Sequence, residues 1–233
     1  MTLRKRIKLW AGFFAKISYP RDLALVIQAF SKRRNFRLPG EIGTIIEPVR
    51  GFLSVKEAGF LYWAAREWPV VGPVLELGSF EGRSTIVFAR AGRVVHAVDA
   101  WSLAVEDPSA YGNGRISAEE SLHRFQENIR QALIETQVHI HRGLTQNVGR
   151  CWNIPGALLF IDAGHTYADI KGDLEIWTPY LLPNGLLLMH DVLGDVHVSV
   201  TCAASELLRQ NWRVVASSGS IVAFTRKLPR AYE

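Results

Sequence analysis

The sequence predicts an α/β protein built on a doubly wound, mostly parallel sheet, and three observations carry that prediction. Short apolar runs of strand length alternate with helical stretches from about residue 54 onward, the order that builds a sheet with helices on both faces. The run at 158–161 is uniformly apolar, as in a strand covered on both sides. Gly78 and Gly82 stand between the first strand-like run and the helix after it, a junction over which such sheets bind ligands.

Each element follows from local signals. Ser54 and Glu57 have capping-box spacing. Phe60, Leu61, Trp63 and Ala64 then carry an apolar face towards Trp68 and Pro69, where the helix must end. Residues 70–77 read as the first strand, 84–91 as a helix and 94–98 as the second strand. Residues 102–117, rich in Pro, Gly, Ser and Tyr, form a loop before a helix at 117–133 and a third strand at 138–141. The fourth strand at 158–161 leads to a helix at 168–181, and Pro183-Asn184-Gly185 turns the chain into a fifth strand at 186–189. A helix at 198–210 precedes strands at 212–216 and 221–225, joined as a hairpin that adds one antiparallel strand to the sheet.

The 233 residues suit one domain with a short appendage, divided as a basic helical segment at 1–50 and a ligand-binding domain at 51–233. With 48% apolar and 21% charged residues the chain is not a disordered one, and no stretch reaches the roughly 20 apolar residues of a membrane-spanning helix. Two cysteines, Cys151 and Cys202, exclude a disulfide scaffold and imply a reducing, cytoplasmic setting. The net charge of +5 divides into +9 on residues 1–37 and −4 on the remainder, so the basic balance is no argument for nucleic-acid binding.

Within the basic segment Leu3, Ile7, Trp10, Phe13, Phe14 and Ile17 recur at helical spacing, and a second apolar run covers 23–30. Two readings follow. One is an amphipathic surface that meets anionic lipid, placing the protein peripherally at a membrane through residues 1–37. The other is a pair of helices packed on the domain or on a second subunit, with a homo-oligomer as its consequence.

The segment from Val74 to Ser84 carries most of the functional information. Gly78 and Gly82 let the backbone turn tightly beneath a helix N-terminus, but their spacing differs from the G-x-G-x-x-G that wraps a pyrophosphate. Glu76 at the strand end would repel phosphate and suits a ligand bearing an ammonium group. Asp99 ends the second strand, where a carboxylate accepts hydrogen bonds from ribose hydroxyls. An amino-acid ligand at the first loop and a ribose at the second describe S-adenosylmethionine. The expected cofactor set is Glu76, Gly78, Ser79, Gly82, Ser84, Asp99, Ala100, Trp101 and Thr145, with Trp101 covering the adenine or simply packed, and Thr145 facing the adenine.

Five stretches together, Glu76 to Thr85, Val98-Asp99-Ala100-Trp101, Phe160 to Tyr167, Pro183-Asn184-Gly185 and His190-Asp191-Val192, resemble a class I methyltransferase with a Rossmann-like sheet. The resemblance runs over about residues 50–226. It is to the branch with macrolide-sugar and polysaccharide O-methyltransferases, related more distantly to catechol O-methyltransferase. It implies methyl transfer to a hydroxyl of a sugar, glycan or other small metabolite. It also implies a Mg²⁺-type site at Asp162, His190 and Asp191.

Two departures bear on that site. His190 stands where relatives often carry an acid, and Gly164 where many carry another Asp. An imidazole shifts the preference from Mg²⁺ towards Mn²⁺ or another transition metal; the alternative is that His190 and Asp191 cap the strand and bond to loops. His165 lies three residues after Asp162, where catechol-type relatives place a lysine, and a neutral imidazole there suits a general base. Catalysis is thus expected from His165 with Asp162. Tyr167 and Tyr111 are candidates for the acceptor pocket, while His96, His139 and His141 alternate along strands and read as structural.

Other readings stay open at this level. A nicotinamide-dependent oxidoreductase shares the fold class, although Glu76 disfavours a dinucleotide. A nucleic-acid methyltransferase fits poorly with the acidic body. A non-catalytic cofactor-binding module docked to an anionic surface is the third.

Overall fold

The structure, a computed structural model, describes residues 20–102, 117–194 and 197–226. Chain order is α1 (Pro20–Ser31), α2 (Gly40–Ile46), α3 (Val55–Glu67), β1 (Val74–Leu77), α4 (Arg83–Arg90), β2 (Val95–Asp99), α5 (Ala118–Gln131), β3 (Val138–Arg142) and α6 (Thr145–Arg150). It continues through β4 (Gly156–Ile161), α7 (Tyr167–Trp177), β5 (Leu181–Met189), α8 (Val198–Leu207), β6 (Trp212–Ser218) and β7 (Ile221–Arg226). The seven strands lie in the order β3-β2-β1-β4-β5-β7-β6. The first five are mutually parallel, and β7 runs antiparallel to both β5 and β6. This is the expected mostly parallel, doubly wound sheet with its C-terminal hairpin.

Strand alternation sorts the core into two layers. Leu158, Phe160, Leu186 and Leu188 face one side, with Phe60, Ile86, Phe88 and Phe125 from α3, α4 and α5. Leu159, Ile161, Leu187 and Met189 face the other, with Leu25, Leu174, Trp177 and Leu207 from α1, α7 and α8. All six residues of β4 are buried, so its uniformly apolar sequence follows from cover on both faces.

Several boundaries differ from the sequence expectation for identifiable reasons. β1 begins at Val74, because residues 65–72 wrap around a guanidinium instead of entering the ladder. Arg93 donates to the carbonyls of Ala65, Trp68, Val70 and Gly72. Pro183-Asn184-Gly185 lies inside β5 as an irregularity: the β4 partner jumps from Leu181 to Leu186 within two residues, and Asn184 takes φ +62°. α7 stops at Trp177, followed by a 3₁₀ turn with Pro179 in its first turn. The short helices α2 and α6 were not expected; both lack a side-chain cap.

The described part of the basic segment is packed into the domain. Leu25, Val26 and Ala29 of α1 are fully buried, and Asp22 accepts a hydrogen bond from Ser205 of α8 at 2.9 Å. Beyond α1 the chain bridges the free edge of β6, with Arg34 donating its N–H to the Ser217 carbonyl at 3.0 Å. Ile42, Ile46 and Val49 join the same core as α3 and α4. Among the described residues no helix is long and apolar enough to cross a membrane.

Candidate active site

The carboxyl ends of β1, β4 and β5 meet through short backbone bonds. Asp162 donates its N–H to the Leu77 carbonyl at 2.8 Å, and His190 donates to Ile161 at 3.0 Å. The glycine loop sits directly against this edge. A Cβ on Gly78 would lie 2.1 Å from the Asp162 carbonyl oxygen, and Gly78 also has φ +86°, so only glycine fits. Gly82, at φ +92°, caps α4 with Phe125 and Ile129 beneath it.

Glu76 is fully buried under this loop. Its Oε2 accepts from the Ser79 hydroxyl at 2.7 Å and the Thr85 hydroxyl at 2.5 Å, and Ser84 also bonds to the carboxylate. Burial pushes Glu76 up to about 7, with the three hydroxyls pulling against it. Its Oε1 is buried without a hydrogen-bond partner. A buried, unmatched carboxylate oxygen is costly unless a donor fills it, and an ammonium group is a suitable one.

Asp99, expected from the sequence to accept ribose hydroxyls, is engaged by backbone N–H groups. Oδ2 accepts the N–H groups of Ser79 and Phe80 at 2.9 and 2.8 Å, and Oδ1 that of Trp101 at 2.6 Å, with Ala100 also contributing. The carboxylate therefore ties the end of β2 to the glycine loop. Burial raises its pKa while these amides oppose the rise. Trp101 is 1% exposed, edge-on to Phe125, and donates its indole N–H to the Phe80 carbonyl at 2.7 Å. Thr145 opens α6; its hydroxyl donates to Asp173 at 2.6 Å and its carbonyl accepts from Trp177, so both are engaged by α7.

At the ends of β4 and β5 four side chains converge. His190 Nδ1 lies 3.3 Å from Asp162 Oδ1 and 3.1 Å from Asp191 Oδ2, and His165 Nε2 lies 3.2 Å from the same Asp191 oxygen. Asp191 stands in the left-handed region, at φ +57°. Burial pushes Asp162 up to about 6, and the neighbouring Asp191 carboxylate adds to this while His190 opposes it. Burial alone would lower His190, yet Asp162, Asp191 and Glu57 push it up to about 11. Asp191, which burial alone would raise, is held well below the carboxylate range by His165 and His190. The hydrogen bond to Asp191 raises His165.

Three groups near this edge escaped the sequence reading. His197 stacks on His165 with ring centroids 3.9 Å apart, and its imidazole, His165 and Asp191 form a second set of close ligand atoms. No spacing signal pointed to it, because the approach depends on the path after β5. Glu57, read only as a helix cap, and Ser220 of the hairpin turn also reach this edge. Tyr167 donates its hydroxyl to Glu206 of α8 at 2.6 Å. Gly164 has no room for a larger residue without movement, since its Cβ would meet Asp169 at 2.7 Å. Tyr111 lies outside the described residues.

A buried carboxylate under a glycine loop, an acid at the end of β2 and polar groups at the ends of β4 and β5 define a class I S-adenosylmethionine-dependent methyltransferase. The chain belongs to the methyltransferase-domain family, whose sequence profile matches residues 75–192. That membership removes the oxidoreductase alternative. The Sinorhizobium fredii protein y4gI is 29% identical over 124 residues, covering 51% of this chain and 13% of its own length. The chain thus spans only about an eighth of that curated relative.

Solved structures share the fold at low identity. The O-methyltransferase TomG of Streptomyces achromogenes, involved in tomaymycin synthesis and solved with S-adenosylmethionine, matches with a TM-score of 0.60 and 12% identity, over 87% of this chain and 96% of its own. The S-adenosylhomocysteine-bound methyltransferase PaMTH1 of Podospora anserina gives 0.60 and 13%, over 91% and 98%. The O-methyltransferase NovP gives 0.59 and 16%, over 89% and 98%.

Proposed function

We propose that the protein is an O-methyltransferase acting on a hydroxyl of a sugar, glycan or other small hydroxylated metabolite, with His165 as general base. The observation that carries this reading is the His165–Asp191 pair, 3.2 Å apart, at the strand edge beside the glycine loop. When bound, S-adenosylmethionine would supply a sulfonium methyl group, whose carbon bonds to the acceptor oxygen as its bond to sulfur breaks and S-adenosylhomocysteine leaves. Glu76 Oε1 receives the ammonium end of that ligand, and Asp99 holds the loop in register for it. With its Nε2–H given to Asp191, His165 keeps a lone pair on Nδ1 for the proton the hydroxyl gives up. The O-methyltransferase neighbours TomG and NovP support the hydroxyl as acceptor.

Asp162, His190 and Asp191 fit a divalent cation. Their closest ligand atoms are 3.1 and 3.3 Å apart, near the ~3 Å between adjacent ligands around an ion with bonds of about 2.1 Å. The imidazole favours Mn²⁺ over Mg²⁺, and binding requires His190 to release its proton. Such an ion would lower the pKa of an acceptor hydroxyl.

The test is methyl transfer from labelled cofactor to a panel of sugars, glycolipids and phenols, with and without EDTA and added Mn²⁺ or Mg²⁺. His165→Ala should lower turnover by about 10²-fold or more while calorimetric affinity for S-adenosylhomocysteine stays unchanged. Wild-type turnover in that variant would overturn the role of His165. Full activity in EDTA would overturn the metal arm alone.

A further inference from the structure

The residue after His190 carries an unusual demand. Asp191 must hold a left-handed backbone and still direct one oxygen at both His165 and His190. A non-glycine residue in that region persists only where its surroundings hold it. The holding group comes from α3, more than a hundred residues away in sequence.

Glu57 begins as an ordinary capping-box residue: its Oε2 accepts from the Ser54 N–H at 3.0 Å and the Ser54 hydroxyl at 2.6 Å. Its other oxygen leaves the helix altogether. Oε1 accepts the N–H of Ser220 at 2.7 Å and the Ser220 hydroxyl at 2.9 Å, in the turn between β6 and β7. The Ser220 hydroxyl oxygen in turn accepts the N–H of Asp191 at 3.3 Å, and the Ser220 carbonyl accepts that of Leu193 at 3.0 Å. The approach is so close that a Cβ on Gly219, itself at φ +60°, would lie 2.3 Å from Glu57 Oε1. The turn is therefore shaped around this carboxylate, which is itself 6% exposed.

We propose that Glu57 and Ser220 are positioning residues for methyl transfer, acting as a relay from the cap of α3 through the β6–β7 turn to the backbone of Asp191, and so to His165. The inference deepens the proposed function and rests on the role of His165 there. Neither residue needs to touch the acceptor or the cofactor. Their effect is to keep the Asp191 carboxylate where it can orient the His165 imidazole, and small misplacements of such groups are costly to turnover.

Ser220→Ala removes the bridging hydroxyl but leaves the backbone N–H that Glu57 also accepts. Glu57→Asp keeps the charge and shortens its reach. Each is expected to lower kcat by about 10–100-fold with the affinity for S-adenosylhomocysteine and the KM for cofactor unchanged, while Ser220→Thr restores most of the rate. The NMR resonances of the His165 ring in EDTA-treated protein, assigned against His165→Gln, supply a readout without an acceptor. At fixed pH their chemical shifts should move in Ser220→Ala and return in Ser220→Thr. Unmoved His165 resonances in Ser220→Ala overturn the relay, as does a loss of cofactor affinity equal to the loss of rate. If no acceptor in the panel is methylated, the proposed function fails while the His165 resonances still decide the relay.

Discussion

Glu76 shows how one buried atom can define a ligand. The Ser79 and Thr85 hydroxyls hold one oxygen of its carboxylate, and the other oxygen is buried without a hydrogen-bond partner. With its pKa raised to about 7, the group is roughly half protonated near neutrality in the free protein. An ammonium ligand favours the ionised form, so binding of S-adenosylhomocysteine should release protons near pH 7. Affinity should then rise from pH 6 to pH 8 and level off above. Calorimetry in buffers of different ionisation enthalpy measures the release directly. Glu76→Gln should abolish it and weaken binding by about tenfold or more, the loss of one charge-assisted hydrogen bond. Unchanged proton release in that variant would assign the titration to another group. The placement of this residue was legible, because a short apolar run leads through it directly into the glycine loop. Its partners were not, since Ser79 and Thr85 reach it only once the loop has closed.

At the scale of elements, the same distinction separates what period and punctuation reveal from what packing decides. The β-strands and the major helices stood out through alternation and caps, and the capping box at Ser54 is formed as its spacing predicts. The start of β1 did not stand out, because Arg93 is distant in sequence from the carbonyls it collects. The cluster on β2 and β3 is an intermediate case. His96 pairs in register with His139, and its Nδ1 lies 3.0 Å from His141 Nε2, with Trp152 edge-on to both His96 and His141. Burial first, and then the neighbouring His141 and His139, push His96 down to about 4. The unfolded chain therefore binds a proton at this site between about pH 6.5 and 4 that the folded one refuses. Stability should be complete above pH 6.5 and decline as the pH falls through that window, by about 3 kcal/mol from this residue. Urea unfolding at pH 7.5 and pH 4.5 measures the decline. His96→Gln should flatten it, and an unaltered slope in that variant would place the acid sensitivity elsewhere.

For the whole molecule, the division of charge takes on a sharper boundary than the residue count implied. Reading the first 50 residues as one basic appendage followed from composition, and composition is blind to which side chains are buried. Leu25, Ala29, Ile42 and Ile46 belong to the two core layers, and Val26 is fully buried beside them in the chain. Residues 20–50 are thus bound to the domain, and Lys32, Arg34 and Arg37 remain exposed on it. The five basic groups of residues 1–19, Arg4, Lys5, Arg6, Lys8 and Lys16, lie outside the described residues and are accompanied there by no acid. If the segment docks to anionic lipid, these five contribute on the order of 1 kcal/mol each near a charged surface. Removing residues 1–19 should then lower partitioning onto phosphatidylglycerol vesicles by at least about a hundredfold at low salt, with S-adenosylhomocysteine affinity and thermal midpoint retained. Removing residues 1–37 should instead destabilise the domain by about 4–6 kcal/mol, because three fully buried apolar side chains of α1 leave with it. Co-sedimentation and thermal unfolding of the two truncations separate a dock from a structural helix. Equal vesicle binding by the full chain and the shorter truncation would show that residues 1–19 are not what meets the lipid.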